Sequence, residues 1–160
     1  MSFESRVIDC ALKYLGHPYI WGGKGQYVWT PRGPAAMATA GCPSGFDCIG
    51  LVLRAAREAG SQFDLTQLWN AQTVLDRVTE DHPGDEVSHL ALYGPDFARV
   101  EHIAIELGNT GLLLQAAGGG HTTTSYTEAV RTGACVSLSR RGRKDILGYR
   151  SIAALEKARP

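Results

Sequence analysis

One helical stripe constrains this chain more than anything else in it. After Gly45-Phe46-Asp47, the residues Cys48, Leu51, Val52, Ala55, Ala56 and Ala59 recur at i, i+3, i+4, i+7, i+8 and i+11. That spacing predicts an amphipathic helix with one inward face. Arg54, Arg57 and Glu58 fall off the stripe, and Gly60 supplies a C-terminal stop. Cys48 therefore stands in the first turn, on the inward face. Such a cysteine has two readings. It is either a small buried hydrophobe or a nucleophile whose thiol pKa is depressed by the helix dipole and the free amide N–H groups.

The rest of the chain divides around that helix. Residues 3–15 predict a first helix with Val7, Ile8, Ala11, Leu12 and Leu15 on one face and Gly16 past its end, with Cys10 a packed core residue. Gly16-His17-Pro18-Tyr19-Ile20-Trp21-Gly22-Gly23 reads as an extended X-Pro segment ending in a glycine pair, which suggests close approach of backbone to another chain or a ligand. Residues 24–46 read as a long loop punctuated by Gly and Pro and carrying Tyr27 and Trp29, with Trp21 just before it. That loop is either pinned to the surface by its aromatics or one wall of a substrate groove. Asp64 or Thr66 would cap another helix reaching about Val78, with Leu68, Leu75 and Val78 inward, and residues 81–85 form a turn. Strands are expected at 90–93, 100–107, 112–117, 134–138 and 146–150, followed by a short helix at 152–157. Helices first and strands later predict one α+β domain over residues 1–160 with a mostly antiparallel sheet of about five strands.

Composition removes several functions. Sixteen basic residues balance sixteen acidic ones, so no net field draws the chain to nucleic acid or an anionic membrane. No apolar run has membrane-spanning length, and the N-terminus lacks the basic-then-apolar order of a secretory signal. The expectation is cytoplasmic synthesis, with action elsewhere reached by another route or after loss of a signal. Four cysteines (Cys10, Cys42, Cys48, Cys135) without a Cys-x-x-Cys, and histidines without i+3 to i+5 pairing, predict neither a disulfide scaffold nor a metal site. A Cys42–Cys48 bridge would disable the nucleophile. No cofactor is implied.

The second half of the chemistry lies in Val100-Glu101-His102-Ile103-Ala104-Ile105-Glu106-Leu107. Alternation places Ile103, Ile105 and Leu107 on one face of the strand and Val100, His102, Ala104 and Glu106 on the other. Small neighbours of His102 would leave room for a helix N-terminus above it. Gly108-Asn109-Thr110-Gly111 is a hairpin signal. If Leu107 faces Leu112, Ala104 faces Gln115, and Gln115 comes within reach of His102 on the same face. A polar Gln inside an apolar strand needs a partner, and an imidazole N–H supplies one. Nucleophile, base and orienting residue then form a triad.

In this order and spacing the chain resembles the NlpC-type peptidoglycan peptidases, which are papain-like cysteine hydrolases. The resemblance runs from about Ala11 to Ala117 on Leu15-Gly16-His17-Pro18-Tyr19-Ile20-Trp21-Gly22-Gly23, Phe46-Asp47-Cys48-Ile49-Gly50-Leu51-Val52, Pro83-Gly84-Asp85, His102-Ile103-Ala104-Ile105-Glu106-Leu107-Gly108 and Leu114-Gln115-Ala116. It implies a papain-like fold, Cys48 as nucleophile, His102 as base and then acid, and Gln115 as the third residue, with His121 as its rival. It also implies an oxyanion hole built on the Cys48 amide with Tyr19 as helper. The substrate would be an amide of peptidoglycan stem peptides, with Tyr19, Asp47, Trp21 and Trp29 contacting it.

Two features depart from the pattern. Ile49 stands where many relatives have a Ser that helps bind a free terminal amine, so stems still attached to glycan are the expected substrates. The loop 24–46 is longer than in the simplest members. Both features resemble forms carried by phages and tail-tip machinery, which makes phage or tail proteins candidate partners. The alternatives are a non-catalytic tail-tip component, or an amidase or acyltransferase acting on a non-wall substrate.

Overall fold

The computed structural model describes residues 1–65, 69–78, 80–81, 88–140, 142 and 144–158. In chain order its elements are α1 (Phe3–Leu12), β1 (Lys24–Gly25), β2 (Tyr27–Thr30), β3 (Gly33–Ala36), β4 (Gly45–Phe46), α2 (Cys48–Glu58) and α3 (Ala71–Arg77). They continue with β5 (Glu80–Asp81), β6 (His89–Tyr93), β7 (His102–Leu107), β8 (Leu112–Ala117), α4 (Tyr126–Thr132), β9 (Cys135–Arg140) and β10 (Ile146–Ser151). The main sheet is antiparallel with order β5-β10-β6-β7-β8-β9. Five of its strands have five or six residues, and β5 adds a two-residue edge. This is the expected α+β architecture.

Caps explain where the helices begin. Ser2 accepts from the Ser5 amide at the head of α1, and the Asp47 carboxylate accepts from the Gly50 amide at the head of α2. α3 starts at a reciprocal capping box between Asn70 and Thr73 rather than at Asp64 or Thr66. It is shorter than expected, with Val74 and Leu75 inward; Thr66, Leu68 and residues 82–85 of the expected turn lie outside the described residues.

The main core lies between the helices and one face of the sheet. Leu51, Val52, Ala55 and Ala56 of α2 and Val7 and Ala11 of α1 pack with Leu90, Leu92, Ile103, Ile105 and Leu114. Ala91, Tyr93, Ala104 and Leu113 form a separate cluster on the opposite face. The alternation read for β7 holds, but α2 covers the Ile103 and Ile105 face, not the His102 and Ala104 face. The larger side chains offer more apolar area to a helix than alanine does. His102 is the first residue of β7, so it reaches the helix terminus from the end of the strand.

Residues 24–46 are more ordered than a long loop. β2 and β3 form a hairpin, and a 3-10 turn follows at Met37–Ala40. Ile20, Val28, Met37, Ala40, Cys42 and Ala129 bury one another as a small core beneath that hairpin. The glycine pair does mark a close approach: a Cβ on Gly22 would lie 2.5 Å from the Trp29 carbonyl oxygen, and one on Gly23 2.7 Å from that of Gly45.

Candidate active site

Asp47 is the residue on which the site is assembled. Its carboxylate is buried, at 8% exposure, and caps α2 through a 2.6 Å bond from the Gly50 amide. Lys24, at 1% exposure, places its Nζ 3.0 and 3.2 Å from the two carboxylate oxygens. The Gly22 amide donates to Oδ2 at 3.1 Å. These contacts tie the Trp21–Lys24 segment to the helix terminus that carries Cys48. Ile49 is buried and packs into the main core while bordering the same groove.

Cys48 is half-buried, and its sulfur accepts from the amides of Ile103 and Ile49. Ile103 directly follows His102, so the nucleophile candidate sits at the end of β7 where the imidazole begins. The Cys48 amide is among the first N–H groups of α2, which have no intrahelical acceptor. All four cysteines are free, so no Cys42–Cys48 bridge forms.

The thiol itself departs from the sequence reading. Burial, and then the Asp47 carboxylate, push the Cys48 pKa up to about 11, against lowering by the Ile103 amide, Lys24 and the Ile49 amide. The expected depression fails for two physical reasons: burial disfavours the thiolate, and the cap places a negative group at the helix end whose dipole would favour it. Because the thiolate is the reactive form, Cys48 carbamidomethylation should rise about tenfold per pH unit from about pH 7 to 9.5 without a plateau. Peptide mapping after timed iodoacetamide exposure reads this directly. A midpoint below pH 8 would instead show a standing thiolate paired with a charged His102.

His102 and Gln115 meet as the hairpin register requires. Leu107 faces Leu112 and Ile105 faces Leu114, and the His102 Nε2 lies 2.6 Å from the Gln115 Oε1. An amide oxygen only accepts, so His102 Nε2 carries the proton and Nδ1 is the basic nitrogen of the neutral ring. The Gln115 amide nitrogen donates to the Ser139 hydroxyl at 2.7 Å, which fixes the orientation of the amide. The His121 ring, on the rim of the same groove, meets Trp21 edge-on at 6.4 Å.

Cys48, His102 and Gln115 all border one groove of about 1670 Å³. Trp29, Thr30 and Pro31 of the hairpin form one wall, Trp69 and Asn70 another, and Gly118 to His121 a third. Trp21 is 49% exposed there, and Trp29 Nε1 has no hydrogen-bond partner among the described residues. Tyr19 is buried below Gly119, and burial, with the nearby Cys48 and Asp47, raises its phenol pKa and keeps it a proton donor. Among the described residues no cluster of three or more metal-ligating side chains occurs, and no helix is long and apolar enough to cross a membrane.

Sequence reasoning missed Lys24, Ser139 and Trp69. A lysine after a glycine pair signals nothing by itself, and Ser139 becomes visible only once the Gln115–Ser137 register places it diagonally from Gln115.

No family model and no curated protein sequence matches this chain. Solved structures do. RipD of Mycobacterium tuberculosis, described as a non-catalytic NlpC/p60 domain protein adapted to peptidoglycan binding, superposes with a TM-score of 0.61 at 21% identity over 93% of this chain and 95% of its own. The peptidoglycan hydrolase RipB of the same organism gives 0.63 at 24% identity over 94% of this chain and 64% of its own. The NlpC/p60 domain of the peptidoglycan hydrolase SagA gives 0.58 at 20% identity over 92% and 97%. The fold of this chain is that of the NlpC/p60 domain.

Proposed function

We propose that this NlpC/p60-fold chain is a cysteine hydrolase that cleaves an amide bond in peptidoglycan stem peptides. The observation that carries the reading is the 2.6 Å His102–Gln115 bond in a groove that Cys48 also borders, at a helix N-terminus. In this mechanism His102 Nδ1 takes the Cys48 proton as Sγ attacks the scissile carbonyl carbon. The oxyanion faces the Cys48 amide, with the Tyr19 hydroxyl as a second donor. The imidazolium then protonates the departing amine, leaving a thioester. A water, deprotonated by His102, releases the acid and restores the thiol. A thiol held near pKa 11 suits this order, since it is activated by its base at the moment of attack rather than ionised beforehand.

The fold likeness supports peptidoglycan as substrate, because RipB and SagA are described as peptidoglycan hydrolases. RipD, described as non-catalytic, shows that the fold also serves binding alone. A binding role would leave the ordered His102–Gln115–Ser139 chain beside Cys48 without a use. Incubating purified muropeptides with the protein should give pairs of fragments whose masses sum to the parent plus one water, and none with C48A. Mass spectrometry reports both activity and bond. Unchanged muropeptides with the wild-type protein would overturn the hydrolase reading.

A further inference from the structure

Asp47 lies beside the nucleophile at the floor of the groove, where a buried carboxylate would ordinarily attract a cationic ligand group. Here its acceptor capacity is used up. Oδ1 takes the Gly50 amide and Lys24 Nζ, and Oδ2 takes the Gly22 amide and Lys24 Nζ, two donors to each oxygen. An ionised carboxylate offers about four lone-pair sites, so none remains for a ligand. Lys24, Asp47 and Glu101 are the charged side chains among the described groove residues, and Glu101 lies 3.2 Å from Arg99. The groove next to Cys48 therefore presents one closed, buried ion pair and aromatic surface, with the Glu101–Arg99 pair exposed to solvent.

We propose that Lys24 is a specificity-determining residue: its ammonium is a built-in occupant of the Asp47 carboxylate, so the groove beside Cys48 accepts a substrate acylated at that place and disfavours one with a free ammonium. The substrate half of this assignment rests on reading the groove as the stem-peptide site; the electrostatic half does not. Ile49, which also borders the groove, is apolar and supplies no acceptor in place of Asp47. Stems still joined to their glycan strand carry such an acylated first residue, and trimmed stems do not.

The first test needs no substrate. Cys48 is modified with cationic, neutral and anionic methanethiosulfonates of similar size, and each rate is divided by that for a small free thiol. In the wild-type protein the cationic-to-neutral ratio should stay within about threefold of unity, because the carboxylate is compensated. Lys24→Met should raise the ratio about tenfold or more, and added salt should reduce that gain. K24M/D47N should return it to the wild-type value, since Asn caps a helix as Asp does, and Lys24→Arg should leave it unchanged. Removing one member of a buried pair destabilises a fold, so the wild-type ratio and the double variant stand independently of K24M. A cation preference of about tenfold in the wild-type protein, or an unchanged ratio in a folded K24M, would overturn the assignment.

The second test compares cleavage of one stem peptide with its N-terminus acetylated or free. The acetylated form should have the higher kcat/KM by about tenfold or more, and K24M should narrow or reverse that preference. Preference of the wild-type protein for the free amine would overturn the specificity. Cleavage of neither peptide, with the thiol ratios as expected, would strike the hydrolase reading while leaving the Lys24–Asp47 closure in place.

Discussion

Cys48→Ala should lower kcat on muropeptides about 10⁴-fold or more, and His102→Ala should come close to it. Neither change should prevent folding, since both side chains border the groove. Because nucleophile and base act as one unit, the double variant should be scarcely worse than either single one. Gln115→Ala should cost less, about 10²-fold, because the ring keeps its place but loses the acceptor that fixes its tautomer. Gln115→Glu keeps an acceptor and adds a negative charge, which favours the imidazolium and raises the His102 pKa. The base must be neutral to act, so the acid limb of kcat/KM should move to higher pH in that variant. Stopped assays on one purified muropeptide across pH 5 to 9 would follow all five variants. Retention of more than about one per cent of activity by C48A would remove Cys48 as the nucleophile.

Much of this site is legible in sequence because two of its parts are periodic. The stripe from Cys48 to Ala59 places the cysteine in the first turn of α2, and the cap at Asp47 confirms the boundary. The hairpin at Gly108 to Gly111 then sets a register that brings Gln115 to His102. What was not legible lies in contacts between segments distant in sequence. Lys24 and Asp47 are joined only when β1 pairs with β4, two-residue strands too short to show alternation. The hairpin β2–β3 was hidden because Gly33-Pro34-Ala35-Ala36 carries no strand pattern, with Pro34 tolerated on an edge strand.

The helix α4 went unseen for the opposite reason. It buries only Ala129 and leaves Tyr126 and Val130 exposed, so it shows no apolar stripe. Its signal is Ser125 three residues before Glu128, with Gly133 at the far end. Counting the helix dipole alone leaves out the two effects that raise the thiol pKa, first burial and then the cap. Asp47 serves helix formation and opposes ionisation of Cys48 with the same charge.

Among the described glycines, Gly50 is where an added methyl group should do the most damage. The residue lies in the first turn of α2, where alanine would ordinarily stabilise a helix by about 1 kcal/mol over glycine. The surroundings reverse that sign. A Cβ at Gly50 would overlap the Gly23 carbonyl oxygen, with the carbonyl carbon 2.9 Å away and Asp47 Oδ1 at 2.8 Å. The obstacle is backbone, and it cannot rotate aside. The Gly23 carbonyl also accepts the Asp47 amide at 3.1 Å, and Gly23 itself is wedged against Gly45 and Ile20. Relief therefore requires moving the glycine pair, and with it Lys24, or tilting the helix terminus that carries Cys48. Overpacking of this kind costs about 1–3 kcal/mol or more, and a weakened cap adds about 1 kcal/mol. Together these exceed the gain in propensity. For a chain of this size a net loss of about 2–3 kcal/mol lowers Tm by about 5–10 °C. Gly142→Ala is the matched control: nothing lies within 4 Å of its Cβ position and its φ is not positive, so Tm should move by no more than about 1 °C. Activity should fall in G50A even well below its Tm, since the displaced segment includes the counter-ion of Asp47. Thermal melts and muropeptide assays on the two variants separate the outcomes. A Tm for G50A equal to that of the wild-type protein would mean that the Gly23 carbonyl does not press against α2.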